Sequence, residues 1–116
     1  MVIKMNQVPQ ITDTELPLFA GTNAYLKDFA VSNDKQAPIT VGLFRLEAGD
    51  PITYTYTYEE MKLIIDGEFQ ISDGSGDTVT TTVGDLFYFP KGSVITFSTN
   101  TFGVGYFCGQ RNADEA

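Results

Sequence analysis

Residues 52–58 read ITYTYTY, threonine and tyrosine in strict alternation. Successive side chains of an extended chain point to opposite faces, so a strand here puts the tyrosines on one face and the threonines on the other. A helix, with its 3.6-residue period, would scatter both around its axis. Glu59, Glu60, Lys62 and an apolar run follow, and then Asp66-Gly67, a pair that predicts a tight hairpin. The rest of the chain keeps this rhythm. Strands are predicted over 23–31, 39–46, 52–58, 61–65, 68–72, 78–83, 86–89, 94–99 and 104–110. Gly-, Pro- and Asp-rich turns separate them, and such spacing predicts a sandwich or barrel. No helical period runs beyond about two turns. One short turn capped by Asp13 or Thr14 is expected in the polar N-terminal lead. Residues 111–116, RNADEA, are expected to fray. The fold class is therefore all-β, one domain over 1–116 with its core at about 23–110.

Composition narrows function by exclusion. The chain has no histidine, which removes Ser-His-Asp triads, histidine general bases and nearly all zinc catalytic sites. Net charge is −8, so phosphate-backbone binding to nucleic acid and attraction to an anionic membrane are both disfavoured. The lone Cys108 permits no intrachain disulfide, which suits a reducing compartment. The first ten residues lack a signal-peptide pattern, and no apolar run approaches a membrane span. A cytoplasmic protein is expected.

The turn order resembles the two signature motifs of the cupin superfamily. Gly49 opens the first, and Glu60 stands seven positions before Gly67. Gly84, Pro90 and Gly92 fit the second without a gap. The resemblance covers residues 40–110 and implies a jelly-roll barrel. The family's metal-binding histidines fall here at Tyr54, Tyr56 and Ile95, and its asparagine at Thr99. Only Glu60 of the usual ligand set remains, and one carboxylate does not hold a catalytic metal. No metal and no cofactor are expected. YTYTYEEMKLIIDGEFQI is further similar to the ethanolamine-utilisation Q-type cupins, which also lack the histidine set and keep the acid. One branch of that group is associated with acetate kinase activity. This chain carries no glycine-rich phosphate loop of Walker type, so that activity is not carried over.

The resemblance places Tyr54, Tyr56 and Glu60 towards the barrel interior. Parity from Glu60 then brings Lys62 and Ile64 inward, and turns Met61, Leu63 and Ile65 outward. An outward face this apolar suggests a twin subunit, and a homodimer is expected. Glu60 is either a surface acid or an interior one. Inside an apolar barrel an acid resists ionisation and is poised for proton transfer. Lys62 either pairs with it structurally or holds a substrate anion. Tyr54 and Tyr56 are core aromatics or pocket hydroxyls, and Tyr58 is expected nearer the rim. Arg45 is an anion clamp if inward and an interface pair if outward. Tyr106 and Cys108 share one face of the last strand. Tyr106 is expected to offer a second lumenal hydroxyl, and Cys108 to act as a small buried hydrophobe. Phe87 is core or cavity lining, while Phe19 and Tyr25 are placed to close a mouth of the barrel.

Two functional classes follow. In the first, a metal-independent enzyme of isomerase, cyclase, dehydratase or decarboxylase type acts on an oxygenated small molecule. Glu60, Lys62 and Tyr54 are its catalytic candidates; Tyr56, Arg45, Tyr106, Cys108 and Phe87 are its substrate-binding ones. An aromatic lumen suggests a secondary metabolite as that molecule. In the second, the barrel binds a small ligand, or merely fills its lumen, without chemistry.

Overall fold

The computed structural model describes residues 3–8, 11 and 14–116. Ten strands form two antiparallel sheets, and no helix occurs among the described residues. The strands are β1 Leu18–Ala20, β2 Ala24–Val31, β3 Thr40–Glu47, β4 Ile52–Thr55, β5 Glu60–Gly67, β6 Gln70–Ser72, β7 Thr78–Thr80, β8 Leu86–Phe89, β9 Val94–Ser98 and β10 Phe102–Gly109. One sheet has the order β1-β2-β3-β10-β5-β8, the other β4-β9-β6-β7. The expected cap at Asp13 lies outside the described residues, and Thr14 stands in irregular chain.

Aromatic and branched side chains from both inner faces fill the space between the sheets, as face-to-face packing requires. Phe44, Ile64, Phe89 and Phe107 come from the larger sheet, and Ile71, Ile95 and Phe97 from the smaller. Phe97 lies 5.4 Å from the Phe44 ring and 6.0 Å from that of Phe69. These spacings suit tilted and edge-on aromatic contacts.

The Asp66-Gly67 pair does not make a hairpin. β5 and β6 belong to different sheets, so the chain turns a corner there. Gly67 takes φ 62°, which glycine adopts without steric cost. A methyl at this position would also lie 2.2 Å from the Phe102 carbonyl oxygen. The sequence signal was for positive φ, and positive φ serves a corner as well as a hairpin.

Parity along β5 follows the expected register. Glu60, Lys62 and Ile64 are buried, while Met61 and Leu63 are exposed. Residues 111–116 are not frayed at their start. Arg111 is only 5% exposed, donates two bonds of 2.8–2.9 Å to Asp28, and its carbonyl accepts from the Thr40 hydroxyl at 2.6 Å.

Candidate functional site

The site is built from β5 and from the segment that runs into it. Pairing continues one residue past the end of β4, where the Tyr56 N–H donates to the Ser93 carbonyl and the Tyr56 carbonyl accepts from Gly92, and the chain then bends at Thr57 and Tyr58. The alternation of burial nevertheless holds across the bend: Tyr54, Tyr56 and Tyr58 turn inward, and Thr53, Thr55 and Thr57 are exposed. Tyr58 is thus buried rather than at the rim, with its hydroxyl 2.9 Å from that of Tyr54.

Glu60 and Lys62 each have 4% of the side chain exposed, and the ammonium lies 3.3 Å from the carboxylate. The Tyr56 hydroxyl donates to Glu60 Oε2 at 2.5 Å and stands 3.4 Å from Lys62 Nζ. Lys62 Nζ also sits 4.5 Å from the Phe97 ring centre, 4.6 Å from Phe44 and 5.7 Å from Phe89. Such distances permit cation–π attraction. Burial pulls the Lys62 proton affinity down, and the Glu60 charge opposes it without reversing it. Burial pushes the Tyr56 hydroxyl far above its ordinary value, and the charge and hydrogen bond of Glu60 add to that. Tyr56 is therefore a neutral donor here, not a phenolate.

Gly105 makes the lysine's position possible. It stands on β10 opposite Ile64, beside the Lys62 stem, and a methyl there would meet Lys62 Cδ at 2.8 Å and Cγ at 2.9 Å. Gly105→Ala is expected to cost about 1–3 kcal/mol by overpacking. A urea titration checks this, and unchanged stability would show that the stem yields freely.

A second polar cluster adjoins the first. Arg111 lies 5.4 Å from the centres of both the Tyr58 and Phe107 rings. Its Nε has no hydrogen-bond partner among the described residues, although Nη1 and Nη2 are satisfied by Asp28 and Asn112. Burial works against the guanidinium charge, but the Asp28 bonds and the Tyr58 contact outweigh it and hold the proton more tightly than usual. The tyrosines thus connect Glu60 to a buried ion pair that sequence reasoning missed. The available signal was an arginine just past the final strand, with Asp28 on β2 as a possible counter-ion.

Other expected residues lie elsewhere. Tyr106 and Cys108 are on the outer face, because they pair with Leu63 and Met61 while Phe107 pairs with Lys62. Tyr106 is therefore not a lumenal hydroxyl. Burial and the Glu60 charge raise the Cys108 thiol, which lowers its thiolate fraction. Arg45 also faces outward, bonded to Glu47 at 2.7 Å and lying 4.8 Å from the Phe102 ring. Phe87 stacks on Phe89 at 5.9 Å but lines a separate groove with Ile71, Val79 and Ile95. Tyr54 is half-buried at the mouth, 6.1 Å from Phe19 of β1. Tyr56, not Tyr54, touches Glu60. Tyr25 stands on the outer face, where it borders a cleft with Arg45 and Glu47.

The lumen between Phe19, Leu26, Tyr54, Tyr56, Glu60 and Lys62 retains about 20 Å³, room for about one water. A surface cleft of about 480 Å³ lies on the other side of Phe19 and Leu26. These two side chains form the wall between them.

A metal of the kind bound by many cupins does not fit these residues. The cation beside Glu60 is the Lys62 ammonium, and no group of three or more acidic or cysteine side chains suited to a metal occurs among the described residues. No helix among them is long and apolar enough to cross a membrane.

Comparison with known proteins agrees with this architecture. Solved structures similar to the chain include the EutQ protein of Clostridium difficile, at 25% identity and TM-score 0.65, covering 75% of this chain and 67% of that one. A protein of unknown function from Rhizobium leguminosarum matches at 23% identity and TM-score 0.73, over 95% of this chain and 100% of that one. An RmlC-like cupin with a double-stranded β-helix from Methanocaldococcus jannaschii matches at 11% identity and TM-score 0.67, over 97% and 94%. The fold is thus that of the cupins. No curated protein matches the chain. The sequence profile described as ethanolamine utilisation protein EutQ matches residues 2–107, and the chain belongs to this family.

Proposed function

We propose that the lumen is a metal-independent small-molecule site, in which Glu60 moves a proton while Lys62 and the Tyr56 hydroxyl stabilise developing negative charge. The observation that carries this reading is the charged pair itself, 3.3 Å apart and shut among aromatic rings. Desolvating two charges costs several kcal/mol per ion, and a barrel built only to be stable does as well with apolar residues. A carbonyl or carboxylate oxygen placed here would meet the Lys62 ammonium, and the Tyr56 hydroxyl becomes a second donor once Glu60 has taken up a proton and releases it. Isomerisation, dehydration, cyclisation and decarboxylation all run on such groups without a metal. Entry takes displacement of Phe19 on β1, a three-residue edge strand paired only with β2.

The near-filled lumen favours a second reading, a ligand-binding or structural cupin without turnover. A thermal-shift screen of small oxygenated acids, alcohols and aldehydes separates the two. On the enzymatic reading at least one compound raises the midpoint and is consumed; Glu60→Gln abolishes consumption and leaves the shift in place. A compound that shifts the midpoint but is never consumed decides for binding.

A homodimer through the outer face of the larger sheet belongs to the same proposal. Met61, Leu63, Leu86, Tyr88 and Tyr106 are exposed there on adjacent strands. Sedimentation is expected to give twice the chain mass of 12.7 kDa, with Leu63→Glu returning the monomer. A wild-type monomer at tens of micromolar rejects the dimer.

A further inference from the structure

Lys62 is an amine as well as a charge. Its Nζ lies inside the lumen, whereas Lys4, Lys27, Lys35 and Lys91 are exposed. An amine attacks carbon only through its lone pair, so it must first lose a proton. In water that loss is rare near neutrality. In the lumen the acceptor is already in place, since the Glu60 carboxylate is 3.3 Å away. Transfer of one proton between them leaves two neutral groups, the state an apolar surround favours. Phe44, Phe89 and Phe97 supply that surround. Tyr56 touches both partners and is held as a neutral donor. The charged groups bearing on Lys62 are Glu60, which favours its ammonium, and the more distant Arg111, which disfavours it.

We infer that Lys62 forms an imine with the carbonyl carbon of a small aldehyde or ketone admitted to the lumen, with Glu60 carrying the protons. This rests on the reading of the lumen as a small-molecule site and names its substrate class. Nζ attacks the carbonyl carbon, a C–N bond forms, and the carbonyl π pair moves to oxygen. That oxygen takes the proton Glu60 had accepted from the ammonium. Glu60 then takes a proton from the now positive nitrogen and delivers it to the hydroxyl. The C–O bond breaks, water leaves, and a protonated imine remains opposite the Glu60 carboxylate. Net charge is the same at start and end, one cation beside one anion, and no oxidant or reductant takes part. The free space beside the pair holds about one water, the size of the leaving group. A carbonyl compound itself needs more room, so two- and three-carbon compounds enter with the least displacement of Phe19 and Tyr54.

The test is reductive trapping on the wild-type chain. Glycolaldehyde and cyanoborohydride are added at pH 6.5, and the labelled lysines are mapped by mass spectrometry. At that pH only about one exposed lysine in 10⁴ is neutral. Lys62 is expected to be labelled at least about tenfold faster than any of the four exposed lysines. Glu60→Gln is expected to slow labelling at Lys62 alone. In parallel, propanoate, which cannot form an imine, is titrated while the amide signals of Tyr56 and Lys62 are followed by NMR. If propanoate shifts those signals but Lys62 is labelled no faster than the exposed lysines, the imine is wrong and the small-molecule site stands. If Lys62 is not labelled and propanoate shifts nothing, both fall.

Discussion

Asp28→Asn is expected to lower the unfolding free energy by about 3–5 kcal/mol. Arg111 is 5% exposed and cannot shed its proton within the working pH range, so the substitution strands a full charge inside the protein. The amide keeps one acceptor oxygen but loses the two-pronged geometry now spanning Nη1 and Nη2. It also weakens the bond that Asp28 accepts from the Asp114 backbone, which fastens residues 111–114 to β2. The acid side of the stability profile should change with it. Burial alone would raise the Asp28 carboxyl, but the Arg111 hydrogen bonds, the Asp114 N–H and the guanidinium charge together hold it below the usual carboxylate range. A depressed folded value means that the unfolded chain binds more protons as pH falls. The stabilisation is therefore full above the ordinary Asp value of about 3.9 and is lost as pH drops through the folded value. Urea titrations from pH 7 down to pH 2 should show a smaller acid-dependent loss in the variant than in wild type. A deficit below about 1 kcal/mol at pH 7, with an unchanged acid limb, would show that Arg111 finds another counter-charge.

The second large effect concerns Glu60 and Lys62 as a pair. Glu60→Gln alone leaves an ammonium buried against three rings, and a loss of about 3–5 kcal/mol is expected at pH 7. Combining it with Lys62→Met removes the stranded charge. The double variant is expected to match wild type or exceed it by about 1–4 kcal/mol. Lys62 also gives the pH dependence its sign. Its folded value is depressed by burial, so the stability linked to its neutral form is present above the ordinary lysine value and lost as pH falls through the folded one. The deficit of Glu60→Gln should therefore shrink as pH rises towards about 10. Recovery in the double variant would mean that the pair is retained for something other than stability, as the proposed site requires. A double variant several kcal/mol weaker than wild type would make the pair structural and favour the reading without turnover.

Much of the fold could be read from alternation and turns. β8 falls on its expected bounds, and the other eight predicted strands all overlap observed ones, with β4 and β7 ending earlier than expected, because a half-buried strand shows its period directly. β1 was missed: three residues carry no period. Within the site, parity from Glu60 gave Lys62 and Ile64 their correct faces. Tyr58 was misjudged because the break after β4 is a bend that folds inward, setting Tyr58 against Tyr54 and Arg111. On β10 the informative residues were the glycines. Gly103, Gly105 and Gly109 share a side with Phe107, and a methyl on any of them would crowd Phe69, Lys62 or Tyr58. Small residues marked the inner face there, while Tyr106 and Cys108 attracted attention by their chemistry. Arg111 could not be placed from sequence, since its burial depends on Asp28, a residue distant in the chain.

The strand order has a consequence in time. β10 pairs with β3 on one side and β5 on the other, so the middle of the larger sheet is filled by a strand that is made after all the other nine. Until it emerges from the ribosome, β2-β3 and β5-β8 are two separate ribbons with no common neighbour. Sheet closure, the burial of Lys62 beside Gly105 and the docking of Arg111 on Asp28 must then come together. Such long-range pairing places folding on the millisecond-to-second scale, and through translation the edges of both ribbons stay open to other chains.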